Sequence, residues 1–252
     1  MIIEGYRALL RALENGYPLE TLFQCPPLFQ GSNEPALISR AAAAGAEIIE
    51  TNPAVFRKMA YRDRPEGLLA IAPQCHRSLE SLVLPASPLL LVAEAIEKPG
   101  NLGTILRSAD AGAVTGLVLC DECTDLFNPN VVRASTGCLF TVPVAEARSD
   151  EAVDYLRAHG IRTLAATPHT RTLYTDVDMT GPLAIVVGTE QLGLSDTWLS
   201  RADHHVRIPM LGQADSLNVA TATTLLLYEA LRQRGWTPPG GVRSDAPDRG
   251  KE

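Results

Sequence analysis

Short, uninterrupted apolar runs recur through the second half of the chain, and helical patterns fill the gaps between them. No other feature constrains the fold as strongly. The runs cover residues 89–95, 116–120, 140–144, 161–166, 183–187 and 205–208. The helical patterns cover 101–113, 129–136, 149–159, 195–202 and 216–234. A strand with one face in water alternates polar and apolar residues, whereas one that is apolar throughout is buried on both faces. Apolar strands separated by helices therefore predict an α/β fold with a largely parallel sheet covered on both sides.

Residues 1–73 read as a second, smaller α/β unit. Residues 4–15 are amphipathic through Leu9, Leu10 and Leu13, with Gly16 as a helix stop. An extended stretch around Leu22 and Phe23 follows, then a helix with Asn33 as its cap and Pro35 in its first turn, running to Gly45. Residues 47–50 predict a strand, Asn52-Pro53 another helix start, and residues 67–72 a last strand. Residues 74–88, with Pro85 and Pro88, read as a linker to a larger domain over 89–236. Residues 237–252, rich in Pro, Gly and charge, are expected to be disordered.

Composition works by exclusion. No apolar run approaches the length that spans a bilayer, so no membrane role is expected. The first residues lack a basic region and a cleavage site, and the five cysteines form no disulfide framework; both point to the cytoplasm. Cys120 and Cys123 have C-x-x-C spacing, yet the second pair that a zinc site wants is missing, so no metal is expected. A net charge of −7 argues weakly against a nucleic-acid partner. Local patches outweigh the sum, however, and Arg57, Lys58, Arg62 and Arg64 form a dense cationic stretch beside Tyr61. Together with Arg133 they are the candidate RNA-contacting set.

In open parallel sheets, ligands gather where loops leave the carboxyl ends of strands. Three such loops carry unusual polar content. The first is Glu97-Lys98-Pro99-Gly100-Asn101-Leu102-Gly103, leading into a helix with Leu102, Ile105, Leu106 and Ala109 on one stripe and Arg107 opposite. The second is Gly188-Thr189-Glu190-Gln191-Leu192-Gly193. It matches neither the dinucleotide fingerprint nor the P-loop, which disfavours a nucleotide-dependent oxidoreductase. The third runs from Ile208 to Asn218, with Ser216 expected to cap the last helix and Asn218 in its first turn. Taken singly, each has a plain reading as a helix cap, a solvated arginine or a generic turn.

Taken together, Glu97-x-Pro99-x-Asn101-x-Gly103-x-x-x-Arg107, Gly188-x-Glu190-x-x-Gly193 and Ile208-Pro209-Met210-x-Gly212-x-x-x-Ser216-Leu217-Asn218-Val219-Ala220 resemble the three signature motifs of one family. That family is the SpoU (TrmH-like) branch of the SPOUT RNA ribose 2′-O-methyltransferases. Arg133-Ala134-Ser135-Thr136-Gly137 also resembles a stretch common in it. The resemblance implies a C-terminal α/β domain with a deep trefoil knot, S-adenosyl-L-methionine as cofactor, and a homodimer whose subunits share the site. Nothing in the periodicity predicts a knot, which breaks the usual rules of chain threading.

By the same resemblance, Gly188, Ile208 and Leu217 hold the cofactor through main-chain groups, with Thr167, Met210 and Asn218 as further candidates. Arg107 takes the central catalytic role, Asn101 positions the substrate or cofactor, and Glu190, Ser216 and Asn218 complete the constellation. A guanidinium keeps its proton to very high pH, so Arg107 is read either as a costly general base or as a phosphate anchor that stabilises a developing alkoxide.

The N-terminal unit resembles the L30e-like substrate-binding domain, on Gly5-Tyr6-Arg7-Ala8-Leu9-Leu10 and Pro65-Glu66-Gly67-Leu68-Leu69-Ala70. That domain type implies ribosomal RNA as the substrate. The expected activity is 2′-O-methylation of rRNA ribose. A tRNA ribose methyltransferase and a non-catalytic RNA-binding or ribosome-assembly factor are the alternatives; intact Asn101, Arg107, Glu190, Ser216 and Asn218 speak against the last.

Overall fold

Two sheets organise the computed structural model, which describes residues 1–189 and 191–239. The first holds β1 (Ile2–Glu4), β2 (Thr21–Gln24), β3 (Glu47–Glu50) and β4 (Leu68–Ile71), in the order β1-β4-β2-β3. β4 runs antiparallel to both neighbours, while β2 and β3 are parallel. Helices α1 (Tyr6–Glu14), α2 (Glu34–Ala43) and α3 (Pro53–Met59) connect them.

Two expectations change here. Residues 2–4 form a strand, whereas the amphipathic pattern drew residue 4 into the helix. Gly5, at φ +96, turns the corner between them, and its N–H donates to the carbonyl of Leu68 at 3.0 Å. Asn33 is in helical conformation and makes no side-chain cap. The first helical residue, Glu34, instead ties down the preceding loop, its carboxylate accepting the N–H groups of Gln30 (3.0 Å) and Gly31 (2.8 Å). Asn52 does cap α3, accepting from the Val55 N–H at 3.0 Å.

The second sheet is parallel throughout, in the order β10-β8-β9-β5-β6-β7. Its strands are β5 (Leu89–Glu94), β6 (Gly116–Cys120), β7 (Val144–Ala147), β8 (Arg162–Ala166), β9 (Leu183–Val187) and β10 (His204–Val206). β5, β6 and β9 are buried at every residue, as their continuous apolar runs require. Helices α4 (Pro99–Ala111), α5 (Pro129–Ser135), α6 (Ser149–Ala158), α7 (Asp196–Arg201) and α8 (Val219–Gln233) complete the unit.

The run at 140–144 is not a strand as expected. Thr136 and Gly137 adopt left-handed conformations (φ +52 and +87) and turn the chain, so Cys138–Phe140 form a 3₁₀ turn packed on the core. The strand begins only after Pro143. β10 likewise ends before residue 208, because Arg207 leaves the ladder to exchange main-chain hydrogen bonds with Thr172 (2.9 Å) and Tyr174 (3.1 Å). The expectation of a disordered tail falls mainly on residues 240–252, outside the described residues.

One buried apolar cluster runs through both units and includes Leu9 and Leu22 with Leu91 and Leu117. At the seam, a side chain on Gly137 would come within 2.9 Å of the Cα of Ala8, so only glycine lets α1 approach this closely. Arg11 donates there to the Thr136 carbonyl (3.2 Å) and to the Cys138 sulfur (2.7 Å), and the Tyr17 ring meets Phe140 edge-on at 4.9 Å. Residues 74–88 are an ordered strap. Leu79 and Leu82 are buried, and the Arg77 carbonyl accepts the Glu146 N–H at 2.9 Å.

Candidate active site

Because β10, β8, β9 and β5 run in one direction, their carboxyl ends open on one edge of the sheet. Register places the exits side by side: Ala93 faces Val187, Val186 faces Ala165, and Ala166 faces Val206. Thr167 follows β8 and extends the pairing, its N–H donating to the Val206 carbonyl at 2.9 Å. Gly188 follows β9, Ile208 lies two residues past β10, and the loop into α4 follows β5.

The loop after β9 doubles back on itself. Thr189 and Gly193 exchange main-chain hydrogen bonds of 3.0 and 3.2 Å, and Gly193 sits at φ +72. A Cβ on buried Gly188 would lie 2.4 Å from the Gly193 carbonyl oxygen. Beneath this turn is a group the sequence reading missed. Glu94, only 3% exposed, accepts hydrogen bonds from Ser149 Oγ (2.7 Å), Ser195 Oγ (2.6 Å) and Ser195 N–H (2.8 Å). Trp198 Nε1 donates to Ser149 Oγ at 2.9 Å. The carboxylate thus pins the start of α7, and with it the far end of the Gly188 loop. Its only signal in the sequence is a lone acid closing an otherwise apolar strand.

On α4 the cap position is Lys98, so Asn101 lies inside the first turn. Gly103 allows α5 to close in, since a Cβ there would meet Ala134 Cβ at 2.4 Å. Leu102, Ile105, Leu106 and Ala109 are buried, and Arg107 is exposed with no hydrogen bond or ion pair to any described residue.

The third loop is tied to the first by Asn218. Its Oδ1 accepts from the Ala220 N–H (3.0 Å), and its Nδ2 donates to Asn101 Oδ1 (3.0 Å). Asn218, not Ser216, is therefore the cap of α8, which starts three residues later than expected. Ser216 is exposed and Leu217 half-buried. About two turns further along, Ser108 and Thr224 hydroxyls meet at 2.7 Å and lock α4 to α8. Glu190 lies outside the described residues.

The main-chain groups of Ile208, Met210 and Leu217 engage no other described residue. Free peptide donors and acceptors flanked by the apolar Ile208 and Leu217 side chains fit a nucleoside, which needs polar edges met and flat faces covered.

The RNA-contacting candidates divide. Arg57, Lys58, Arg64 and Arg133 are exposed and unpaired among the described residues. Arg62 is engaged internally, donating to the Glu66 carboxylate and, at 3.3 Å, to the Glu4 carbonyl. Cys120 is buried, which pushes its thiol pKa up and away from reactivity; Cys123 is exposed.

The profile of the SpoU rRNA Methylase family matches residues 88–228, and that of the MRM3-like substrate binding domain matches residues 1–70. The 23S rRNA (uridine(2479)-2'-O)-methyltransferase of Streptomyces viridochromogenes is 33% identical over 245 residues, 92% of this chain and 83% of that protein. A crystal structure of an RNA 2'-O ribose methyltransferase shares 41% identity at a TM-score of 0.79, covering 93% of this chain and 88% of the other. The SpoU methyltransferase AviRb from Streptomyces viridochromogenes, in complex with AdoMet, shares 31% identity at a TM-score of 0.83, covering 94% and 91%. No described helix is long and apolar enough to cross a membrane.

Proposed function

Because the chain belongs to the SpoU rRNA Methylase family, we propose that it methylates the 2′-oxygen of a ribose in ribosomal RNA, with S-adenosyl-L-methionine as methyl donor. The observation that carries this reading is the Asn218–Asn101 hydrogen bond, which closes the third loop onto the first at the edge where Thr167 and Gly188 emerge.

The cofactor supplies a methyl group on a sulfonium, a leaving group that needs no further activation. Gly188, Ile208 and Leu217 hold it through main-chain groups, with Thr167 and Met210 beside them. What remains for the chain is to align the ribose oxygen and to stabilise negative charge as its proton leaves. Arg107 suits that second task. Its exposed planar fork can take a backbone phosphate in two hydrogen bonds and lend charge to the oxygen, while keeping its own proton. Asn101 and Asn218, locked to each other, set the floor on which the nucleotide rests.

A homodimer belongs to the same reading. Leu192 and Leu211, at 86% and 97% exposed, stand out from the second and third loops, where a second copy would cover them. The expected knot in the C-terminal unit belongs to the same reading.

Tritium transfer from labelled S-adenosylmethionine to purified rRNA and tRNA, followed by nucleoside analysis, tests the proposal. The expected product is a 2′-O-methylated nucleoside from rRNA. Label in tRNA alone would favour the tRNA reading, and no label despite intact cofactor binding would favour a non-catalytic factor.

A further inference from the structure

Tyr61 is an exposed aromatic residue on a polar loop, yet it is held at both ends. Its N–H donates to Glu4 Oε2 at 2.8 Å, beside that of Arg62 at 3.1 Å. Its hydroxyl accepts from Asn130 Nδ2 at 2.8 Å, reaching across the seam from the N-terminal unit to α5. Glu4 is itself buried, and Arg62 is clamped by Glu66, so the loop is strapped to β1 from below. The residue nevertheless stays 48% exposed. Its conformational entropy is already lost on folding, so an aromatic ligand that stacks on it meets a pre-set surface.

The surroundings indicate the ligand. Tyr61 lines a narrow cleft with Glu4, Arg62, Pro129, Val132 and Arg133. Arg133 has no ion-pair partner among the described residues, and the Glu4 carboxylate in the same cleft is engaged by the Tyr61 and Arg62 N–H groups, so a phosphate would meet a cation that no carboxylate has paired. α5, which carries Asn130 and Arg133, packs directly on α4 through Gly103 and Ala134. Packed helices lie roughly 8–10 Å apart. The cleft is therefore one helix away from Asn101 and Arg107.

We infer that Tyr61, fixed by Asn130 and flanked by Arg133, is a stacking platform for an unpaired RNA base close to the methylated ribose. This rests on the methyltransferase reading above and adds to it the nucleotide neighbour that the enzyme grips. RNA is recognised mainly through unstacked bases laid on aromatic faces, with arginines on the phosphates.

The test compares Tyr61→Leu, Tyr61→Trp and Asn130→Ala with the parent. Each is titrated with S-adenosylmethionine and, by filter binding at fixed salt, with an unmodified large-subunit rRNA transcript. All should bind the cofactor equally, which shows that the fold is intact. Tyr61→Leu should bind the transcript roughly 5- to 150-fold more weakly. Tyr61→Trp keeps an aromatic face but loses the hydroxyl that Asn130 holds, so it and Asn130→Ala should both fall between Tyr61→Leu and the parent. If Tyr61→Leu binds the transcript as tightly as the parent, or Tyr61→Trp binds as weakly as Tyr61→Leu, the platform is rejected while the methyltransferase reading stands. If the parent binds cofactor but neither binds nor methylates the transcript, both fall.

Discussion

Arg107 lies opposite the four buried residues of α4 and is exposed, with no hydrogen bond or ion pair to any described residue. Lysine would keep the charge but lose the planar pair of donors. Arg107→Lys should therefore reduce kcat by about 100-fold or more, with cofactor affinity unchanged, as single-turnover assays and calorimetric titration would show. Gly188 answers to a different constraint. Even one methyl group would press on the Gly193 carbonyl, which is main chain and cannot swing aside. Gly188→Ala should open the 189–193 turn, weaken cofactor binding at least about tenfold, and lower stability by about 1–3 kcal/mol. Retention of parental cofactor affinity in that variant would count against the role given to this loop.

At the level of elements, Glu94 is the point where β5, α6 and α7 meet. Its deletion in Glu94→Ala leaves the buried Ser149 hydroxyl without its acceptor and releases the exposed Ser195 at the start of α7, and should cost about 2–3 kcal/mol. Glu94→Gln can still accept from Ser195 and should cost about 1 kcal/mol, a contrast that urea unfolding would resolve. This residue also shows where the sequence stops being legible. β6 and β9 matched their expected spans, because strands buried on both faces announce themselves as apolar runs. The apolar run at 140–144 looked the same but begins in a turn and reaches the strand only at Val144, since Thr136, Gly137 and Pro143 act on conformation and leave hydropathy unchanged. β1 was hidden because three residues are too few to show a period of two. Asn101, Arg107, Gly188 and Asn218 are legible as site residues through the resemblance of their motifs to the SpoU family. Their connection is not, because the Asn101–Asn218 bond joins positions 117 residues apart.

Across the whole molecule, a negative total coexists with cations left unpaired at the seam, so the overall sign of the chain does not decide where RNA can settle. The strap between the units has its own pH sensitivity. His76 Nδ1 lies 2.6 Å from the Glu146 carboxylate, and that hydrogen bond raises the imidazole pKa. The charged pair thus contributes stability that is fully present below the unfolded-state value of about 6.5 and is lost as pH rises through the higher folded value. The Tm gap between the parent and His76→Gln should accordingly be largest in mildly acidic buffer and shrink toward alkaline pH. A gap that does not vary with pH would mean that the pair carries no charge-dependent stability.

The bare α-carbon of Gly137, against which Ala8 rests, has a consequence for how target sites are chosen. With the gripping surface and the alkylating surface wedged into one piece, the enzyme works like a caliper with a locked jaw width. An extra nucleotide inserted between the gripped base and the modified ribose should spoil an RNA even though both ends of the target are unaltered.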